Sequence, residues 1–325
     1  MVLDPRSKLD HHGKVVALVG GVGGAKLAYG LAKNLPPEQL TIIGNVGDDF
    51  QLYGLHISPD LDTVMYTLAE LANPATGWGL AGDTRQMLDM LHTYGETPWF
   101  GLGDRDLATH LLRTQWLREG QSLTAIVGRL LAGLGVKHRL LPVTDDPLAT
   151  VVDTAEHGTL AFQDYFVRHQ WQPTVTRVRY QGAEDAQMTD QVAAALDAAA
   201  TIIMCPSNPV LSIEPILVVP GIREKITNRR GVCIAVSPFV GQQALKGPAA
   251  KLMGELNLDI SVQGLFTYYD GLLDGLVIDE TDREQVAGLA EQEKFTLMTQ
   301  TIMNTPDDKV RLARECLDWV GRFQP

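Results

Sequence analysis

Three acidic clusters surround one glycine-rich turn in this chain. They are Asp48 and Asp49 in NVGDDF, Asp60 and Asp62 in SPDLDT, and Asp104 and Asp106 in GLGDRD. The turn itself is Gly20, Gly21, Val22, Gly23 and Gly24, placed between the apolar run 15–19 and a helical pattern at 25–29. A strand leading through glycines into a helix exposes unpaired amides at the positive end of the helix dipole, and phosphate is the natural guest. Carboxylates beside a phosphate repel it unless a hard cation lies between. Mg²⁺ commonly takes one or two carboxylates together with substrate oxygens and water. The combination points to metal-assisted phosphate chemistry.

Each motif also has a plainer reading. The glycine run is not a dinucleotide fingerprint, because Lys26 stands where a third small residue is needed, and no Gly-Lys-Ser/Thr makes it a Walker loop. Alone, it serves a phosphate or a tight bend equally well. Asp48 or Asp49, after a second strand, fits a ribose hydroxyl or a turn cap. One of Asp60 and Asp62 can cap the helix that follows Pro59, but not both, and two spare carboxylates near an acidic strand end favour a cation. In GLGDRD, an Asp104 cap with Arg105 neutralised nearby is the plain alternative to a ligand loop. Pro206, Ser207, Asn208 and Pro209 form a rigid strand-end loop whose hydroxyl and amide suit a nucleotide. Lys246 and Gly247 precede Pro248 at a helix start, a place for a second anion or for ordinary loop punctuation. Trp78, Trp99 and Tyr66 are candidates to stack on a flat ring or to fill a core. Cys205 reads as a buried strand end without a base to activate it.

The elements that must hold these groups alternate between strand and helix. Short apolar runs at 15–19, 40–44, 201–205 and 232–236 have the pattern of buried parallel strands, and the loops after them carry GGVGG, NVGDD, PSNP and SPFVG. Ligands of open parallel sheets bind beyond the strand carboxyl ends. Apolar spacing predicts helices over 61–71 and 105–118, and Ser122 caps a third at 123–131. The expected fold is α/β, a Rossmann-like and mainly parallel sheet from residues 14–59 and 181–325. A largely helical insertion (60–137), a small strand-rich substructure (138–180) and a disordered leader (1–13) containing His11 and His12 complete it.

Composition narrows the function. The 325 residues are 45% hydrophobic and 20% charged, as in soluble globular proteins. A net charge of −12 argues against nonspecific nucleic-acid binding, and it requires an anionic substrate to be met by local cations, oriented amides or a metal. No apolar run approaches the roughly 20 residues of a bilayer span, and the first residues lack a signal-peptide centre, so no membrane partner is expected. Three scattered cysteines make neither a disulfide framework nor a structural zinc site, which favours a cytoplasmic location.

Taken together, the segments resemble the 2-phospho-L-lactate transferase family of coenzyme F420 biosynthesis. The resemblance rests on GGVGGAKL (20–27), NVGDD (45–49), SPDLDTVMYTL (58–68) and GLGDRDLATHLLRTQ (101–115), then LLPVTDDP (140–147), FQDYFVR (162–168), PSNPVLSIEPIL (206–217) and SPFVGQQALKGPAAKLM (237–253). It implies transfer of a phospholactyl or phosphoenolpyruvyl group from a guanosine diphosphate-activated donor to the ribityl hydroxyl of the deazaflavin Fo, with release of GMP. NVGDD and GLGDRD lean toward the enolpyruvyl donor. On this reading Asp48 and Asp62 are the first candidates for catalysis, holding Mg²⁺ or orienting the acceptor hydroxyl, with Asp49 and Asp60 as alternates. Gly20, Gly21, Gly23, Gly24 and Lys26 would cradle phosphate, Ser207 and Asn208 would face the nucleotide, and Lys246 a second anion. Gly101, Asp104 and Arg105 would border the deazaflavin, and a homodimer is implied. The rival is a nucleotide-sugar-binding regulator of the gluconeogenesis-factor type, which shares the glycine turn and the aspartate pair but needs no deazaflavin pocket. A nicotinamide-dependent oxidoreductase fits less well, because the glycine spacing is wrong.

Overall fold

Residues 15–19 are almost wholly buried, the environment a parallel strand covered on both faces demands. The computed structural model describes residues 13–241, the backbone of 243–244, and residues 248–269, 271–286 and 295–322; the leader up to residue 12 and Lys246 lie outside them. The buried run forms β1 (Lys14–Val19), passes through Gly20 into α1 (Gly21–Asn34) and returns as β2 (Leu40–Gly44). A hairpin, β3 (Phe50–Leu52) and β4 (Leu55–Ile57), leads to α2 (Pro59–Leu68), α3 (Gln86–Thr93), α4 (Asp106–Arg118) and α5 (Leu123–Gly133). Ser122 caps α5 by accepting the Ala125 amide. The expected continuation of α2 to residue 71 stops short, because Glu70 takes a left-handed φ of 60° that ends the helical path.

Strand β5 (Arg139–Pro142) follows, then β6 (Ala149–Thr154), β7 (Gly158–Ala161) and β8 (Val175–Gln181). The last three form an antiparallel sheet in the order β7-β6-β8. The chain continues through α6 (Asp190–Asp197), β9 (Ala199–Met204), α7 (Glu214–Leu217), α8 (Ile222–Thr227) and β10 (Val232–Val236). A two-stranded ribbon, β11 (Phe239–Val240) with β12 (Gln243–Ala244), precedes α9 (Ala249–Glu255) and α10 (Val262–Tyr268). The described chain ends with β13 (Gly275–Asp279), β14 (Phe295–Thr299) and α11 (Pro306–Val320).

Seven strands make the main sheet in the order β14-β13-β10-β9-β1-β2-β5, and every adjacent pair is parallel. This is the Rossmann-like α/β sheet that the apolar runs predict. The structure corrects one boundary: β5 pairs with β2 from Thr41–Arg139 to Gly44–Pro142, so the main sheet reaches into the 138–180 stretch. Only two aliphatic residues, Leu140 and Leu141, sit in that strand, too few to stand out as a run.

Strand order runs outward from β1 in both directions, through β2 to β5 on one side and through β9 to β14 on the other. The loops after β1 and β9 therefore diverge and leave a crevice, the switch point where such sheets bind ligands. Helix α11 closes one face over α1, where a Cβ on Gly30 would lie 2.0 Å from the Lys309 carbonyl oxygen. Thr305 and Asp308 form a reciprocal capping box at the start of α11. Among the described residues no helix is long and apolar enough to cross a membrane, and Cys205, Cys233 and Cys316 are free and buried.

Candidate active site

The crevice is a cavity of about 690 Å³. Its floor is the start of α1. Gly20 at the N-cap has no side chain to offer the first amides and no acidic residue stands in the first turn; the carboxylate that reaches this helix end is Asp60 of α2, which accepts the Gly21 amide, so an anion bound here would share the turn with it. The glycines form that first turn rather than a loop before it, and Gly21 holds a φ of 63° that favours glycine. Close approach explains the others. A Cβ on Gly23 would lie 2.2 Å from the Pro206 carbonyl oxygen, and one on Gly24 2.5 Å from Ser207 Oγ. The Ser207 hydroxyl donates to the Gly20 carbonyl at 2.7 Å, tying together the two loops of the switch point.

Two carboxylates face this floor. Asn45 Nδ2, fully buried, donates to Asp48 Oδ1 at 3.1 Å and to Asp60 Oδ2 at 2.9 Å. Its Oδ1 is held by the Gly47 amide at 2.7 Å. Burial and the charge of Asp60 push the Asp48 carboxyl well above its ordinary range. Burial also raises Asp60, to about 6, against the lowering effect of its bonds from Asn45 and the Gly21 amide. Among the described residues no cationic side chain contributes to either shift. Asp60 sits so close to the glycine turn that a Cβ on Gly20 would be 2.9 Å from its Oδ2. A phosphate on the turn would meet this carboxylate, and a hard cation resolves the conflict.

Asp62 is differently placed. It lines the same cavity, but Arg113 grips both its oxygens, with Nη1 donating to Oδ2 at 3.1 Å and Nη2 donating to Oδ1. Asp62, Asp106 and His110 lie close enough to share a metal ion. There the guanidinium already supplies a positive charge, whereas Asp48 and Asp60 have no such partner among the described residues.

The remaining candidates divide. Gly20, Gly21, Gly23, Lys26, Gly101, Ser207 and Asn208 border the cavity with Asp48, Asp60 and Asp62. Lys26 Nζ donates to the Met303 carbonyl at 2.7 Å. Asn208 Oδ1 accepts the Val210 and Leu211 amides, which leaves its amide nitrogen as the group to offer a ligand. Gly24 serves loop packing. Asp49 turns away to accept from Ser58 Oγ at 2.7 Å, with His56 Nε2 3.0 Å from the same oxygen, and so anchors the β3–β4 hairpin to α2. Asp104 and Arg105 do not line the cavity. Asp104 accepts the Gln86 and Met87 amides at the start of α3, while Asp83 accepts the Arg105 and Asp106 amides at the start of α4. These reciprocal caps predict that Asp104→Ala lowers the thermal midpoint, read by calorimetry, while kcat and KM change less than twofold.

An aromatic wall completes the cavity: Tyr66, Trp78, Phe100, Phe162, Phe166 and Trp171. Of the ring candidates, Trp99 instead packs on Phe50, Phe100 and Arg168. Phe162, Phe166, Trp171, Asn45, His110 and Arg113 are not among the site residues expected from the sequence. For two of them a signal exists, since Asp106, His110 and Arg113 stand at helical spacings of four and three and share one face of α4.

The sequence model of the family described as 2-phospho-L-lactate transferase CofD matches residues 15–313. The chain belongs to this family. Its CofD relatives include the phosphoenolpyruvate transferase of Streptomyces coelicolor, 38% identical over 94% of this chain and 97% of that protein. The 2-phospho-L-lactate transferase of Methanospirillum hungatei is also 38% identical, over 93% of this chain and 99% of the relative. As a CofD-family member the protein is an enzyme, a transferase. Among solved structures, a member of the UPF0052 family from Bacillus halodurans superposes with a TM-score of 0.63 at 15% identity, covering 94% of this chain and 98% of that one. That likeness is one of fold.

Proposed function

We propose that this CofD-family transferase moves a phosphorylated three-carbon acid from a guanosine diphosphate-activated donor to the terminal ribityl hydroxyl of Fo in coenzyme F420 biosynthesis, releasing GMP. The observation that supports it most is one cavity combining three features: a glycine-rich helix start, two buried carboxylates with no cationic partner among the described residues, and an aromatic wall. Relatives named for the lactyl and the enolpyruvyl donors match at the same identity, so the reading is framed on the three-carbon acid they share.

In this reading the acceptor hydroxyl oxygen forms a bond to the phosphorus that carries the acid, its proton is released, and the bond from that phosphorus to the GMP oxygen breaks with its electron pair leaving on the GMP phosphate. Positioning and charge neutralisation carry such a step. The α1 amides hold the diphosphate, and Ser207 with the Asn208 amide nitrogen borders the nucleotide. Asp62, held by Arg113, accepts the acceptor's hydroxyl and orients it. The aromatic wall takes the deazaflavin ring. Mg²⁺ held by Asp48 and Asp60 would supply charge neutralisation between those carboxylates and the phosphates.

The test is a pair of titrations, GDP by calorimetry and Fo by absorbance. Both ligands are expected to bind, and to bind together, because glycine turn and aromatic wall occupy different parts of one cavity. Strict mutual competition would sink the arrangement, and a regulator of the gluconeogenesis-factor type would bind no Fo.

Metal binding has its own readout. Asp60 titrates at about 6 when folded but near its ordinary value of 3.8 when unfolded. Between these values the folded state holds the extra proton, so stability falls as pH rises through that window. A cation binding the ionised form reverses this. Mg²⁺ is therefore expected to raise the thermal midpoint at pH 8 and to do little at pH 5; equal shifts at both would place the ion elsewhere.

A further inference from the structure

Arg113 is wholly buried, yet it reaches three segments that meet at the cavity wall. Its Nη1 donates to the His56 carbonyl at 3.4 Å, within β4, and both Nη atoms hold Asp62 on α2. On its own helix, Nη1 lies 3.3 Å from His110 Nδ1. A guanidinium only donates, so Nδ1 must accept, and the neutral imidazole then carries its proton on Nε2. His110 is 1% exposed and lines the cavity, and its Nε2 has no hydrogen-bond partner. It stands 3.3 Å from Asp106 Oδ2, an ion-pair contact that, against the raising effect of burial, lowers the Asp106 carboxyl but falls short of a well-formed hydrogen bond. Asp106 in turn accepts the Tyr66 hydroxyl at 2.6 Å.

We propose that Arg113 is the positioning residue of the acceptor half of the site, acting through Asp62 and His110, and that His110 Nε2 is a donor to an oxygen of the acceptor's hydroxylated chain. The proposal rests on the Fo reading given above. The chemistry is that of polyol recognition. Each hydroxyl both donates and accepts, and this wall offers fixed acceptors in Asp62 and Asp106 beside a fixed donor in His110. A bidentate fork holds Asp62 in one rotamer, which a single ammonium contact does not reproduce. The buried Nε2, with only the weak contact to Asp106, gains a well-formed hydrogen bond when a ligand oxygen reaches it.

The experiment compares Arg113→Met, Arg113→Lys, His110→Gln and His110→Leu with the wild type. It reads thermal midpoint, GDP affinity, Fo affinity, and kcat with KM for Fo. Arg113→Met is expected to lose about 100-fold in kcat/KM for Fo, the scale of one lost electrostatic contact, with GDP affinity unchanged within about twofold. Arg113→Lys recovers part of the rate. His110→Gln, whose amide places an N–H near the Nε2 position, keeps Fo affinity, and His110→Leu loses it about tenfold, equivalent to one hydrogen bond of about 1.4 kcal/mol. Imidazole ¹⁵N shifts should report the Nε2–H tautomer in the wild type and tautomer mixing in Arg113→Met.

Equal losses of GDP and Fo affinity, or wild-type kcat/KM in folded Arg113→Met, would overturn the proposal. If that variant fails to fold, wild-type Fo kinetics in both Arg113→Lys and His110→Leu overturn it instead. A wild-type protein that binds GDP but no Fo refutes the acceptor reading itself, a result separable from failure of these variants alone.

Discussion

Asp60→Asn is expected to slow transfer by about two to three orders of magnitude, the scale of removing one electrostatic contact in a water-poor site. It should also make the metal-free protein more stable. Asn keeps the shape and can still accept the Gly21 amide, but it cannot carry the charge that two buried carboxylates share around Asn45. At neutral pH the wild type bears the cost of that ionisation. Relieving it is worth on the order of 3 kcal/mol by linkage, so the thermal midpoint rises as the rate falls. Single-turnover transfer with excess enzyme separates the chemical step from donor affinity, and scanning calorimetry in chelator gives the stability. Asp48→Asn should behave alike, since burial and the charge of Asp60 raise its carboxyl. Near wild-type rates in both variants would make the pair structural. A loss of stability with the loss of rate would show that the carboxylates support the fold.

Gly23→Ala carries the second large effect. The added methyl would lie 2.2 Å from the Pro206 carbonyl oxygen, an atom of the backbone that cannot swing aside as a side chain can. Either α1 or the loop after β9 must shift, and these are the two walls that diverge at the switch point. Overpacking of this kind costs about 1–3 kcal/mol of stability. A displacement of about 1 Å in a positioned site costs about 100-fold in rate. GDP affinity should fall with it, measured by calorimetry on the folded variant. Gly128→Ala is the control, a helical glycine in α5 with open space around its would-be Cβ. Helix propensity predicts that it stabilises by up to about 1 kcal/mol, with no change in GDP affinity. Equal behaviour of the two variants would remove close approach as the reason for glycine at position 23.

The sequence carried its local rules openly. Residues 15–19, 40–44 and 232–236 are long enough apolar runs to be strands by themselves, and the structure gives strands at each. Residues 275–279 are buried throughout and form β13, and the turn pair Asp274-Gly275 is the local sign of where that strand begins. The glycine turn was legible for a different reason. Open amides follow from residue type, since glycine at the N-cap cannot cap.

Carboxylate partners belong to another class of fact. Asp48, Asp49, Asp60 and Asp62 look alike in the chain, and their roles part only when the fold assigns neighbours. Asn45 joins Asp48 to Asp60, Arg113 takes Asp62 from 51 residues away, and Ser58 with His56 turns Asp49 aside. Asp104 was drawn to a ligand by its loop and went to the amides of α3, because the segment at 83–86 lies beside it in space. By itself the sequence determined strand, glycine turn and helix start, since backbone geometry and burial pattern are set within a few residues. Which acid meets a cation, which meets an arginine and which caps a helix was decided by tertiary structure alone, because charge partnership depends on distance through space, and adjacency along the chain does not fix it.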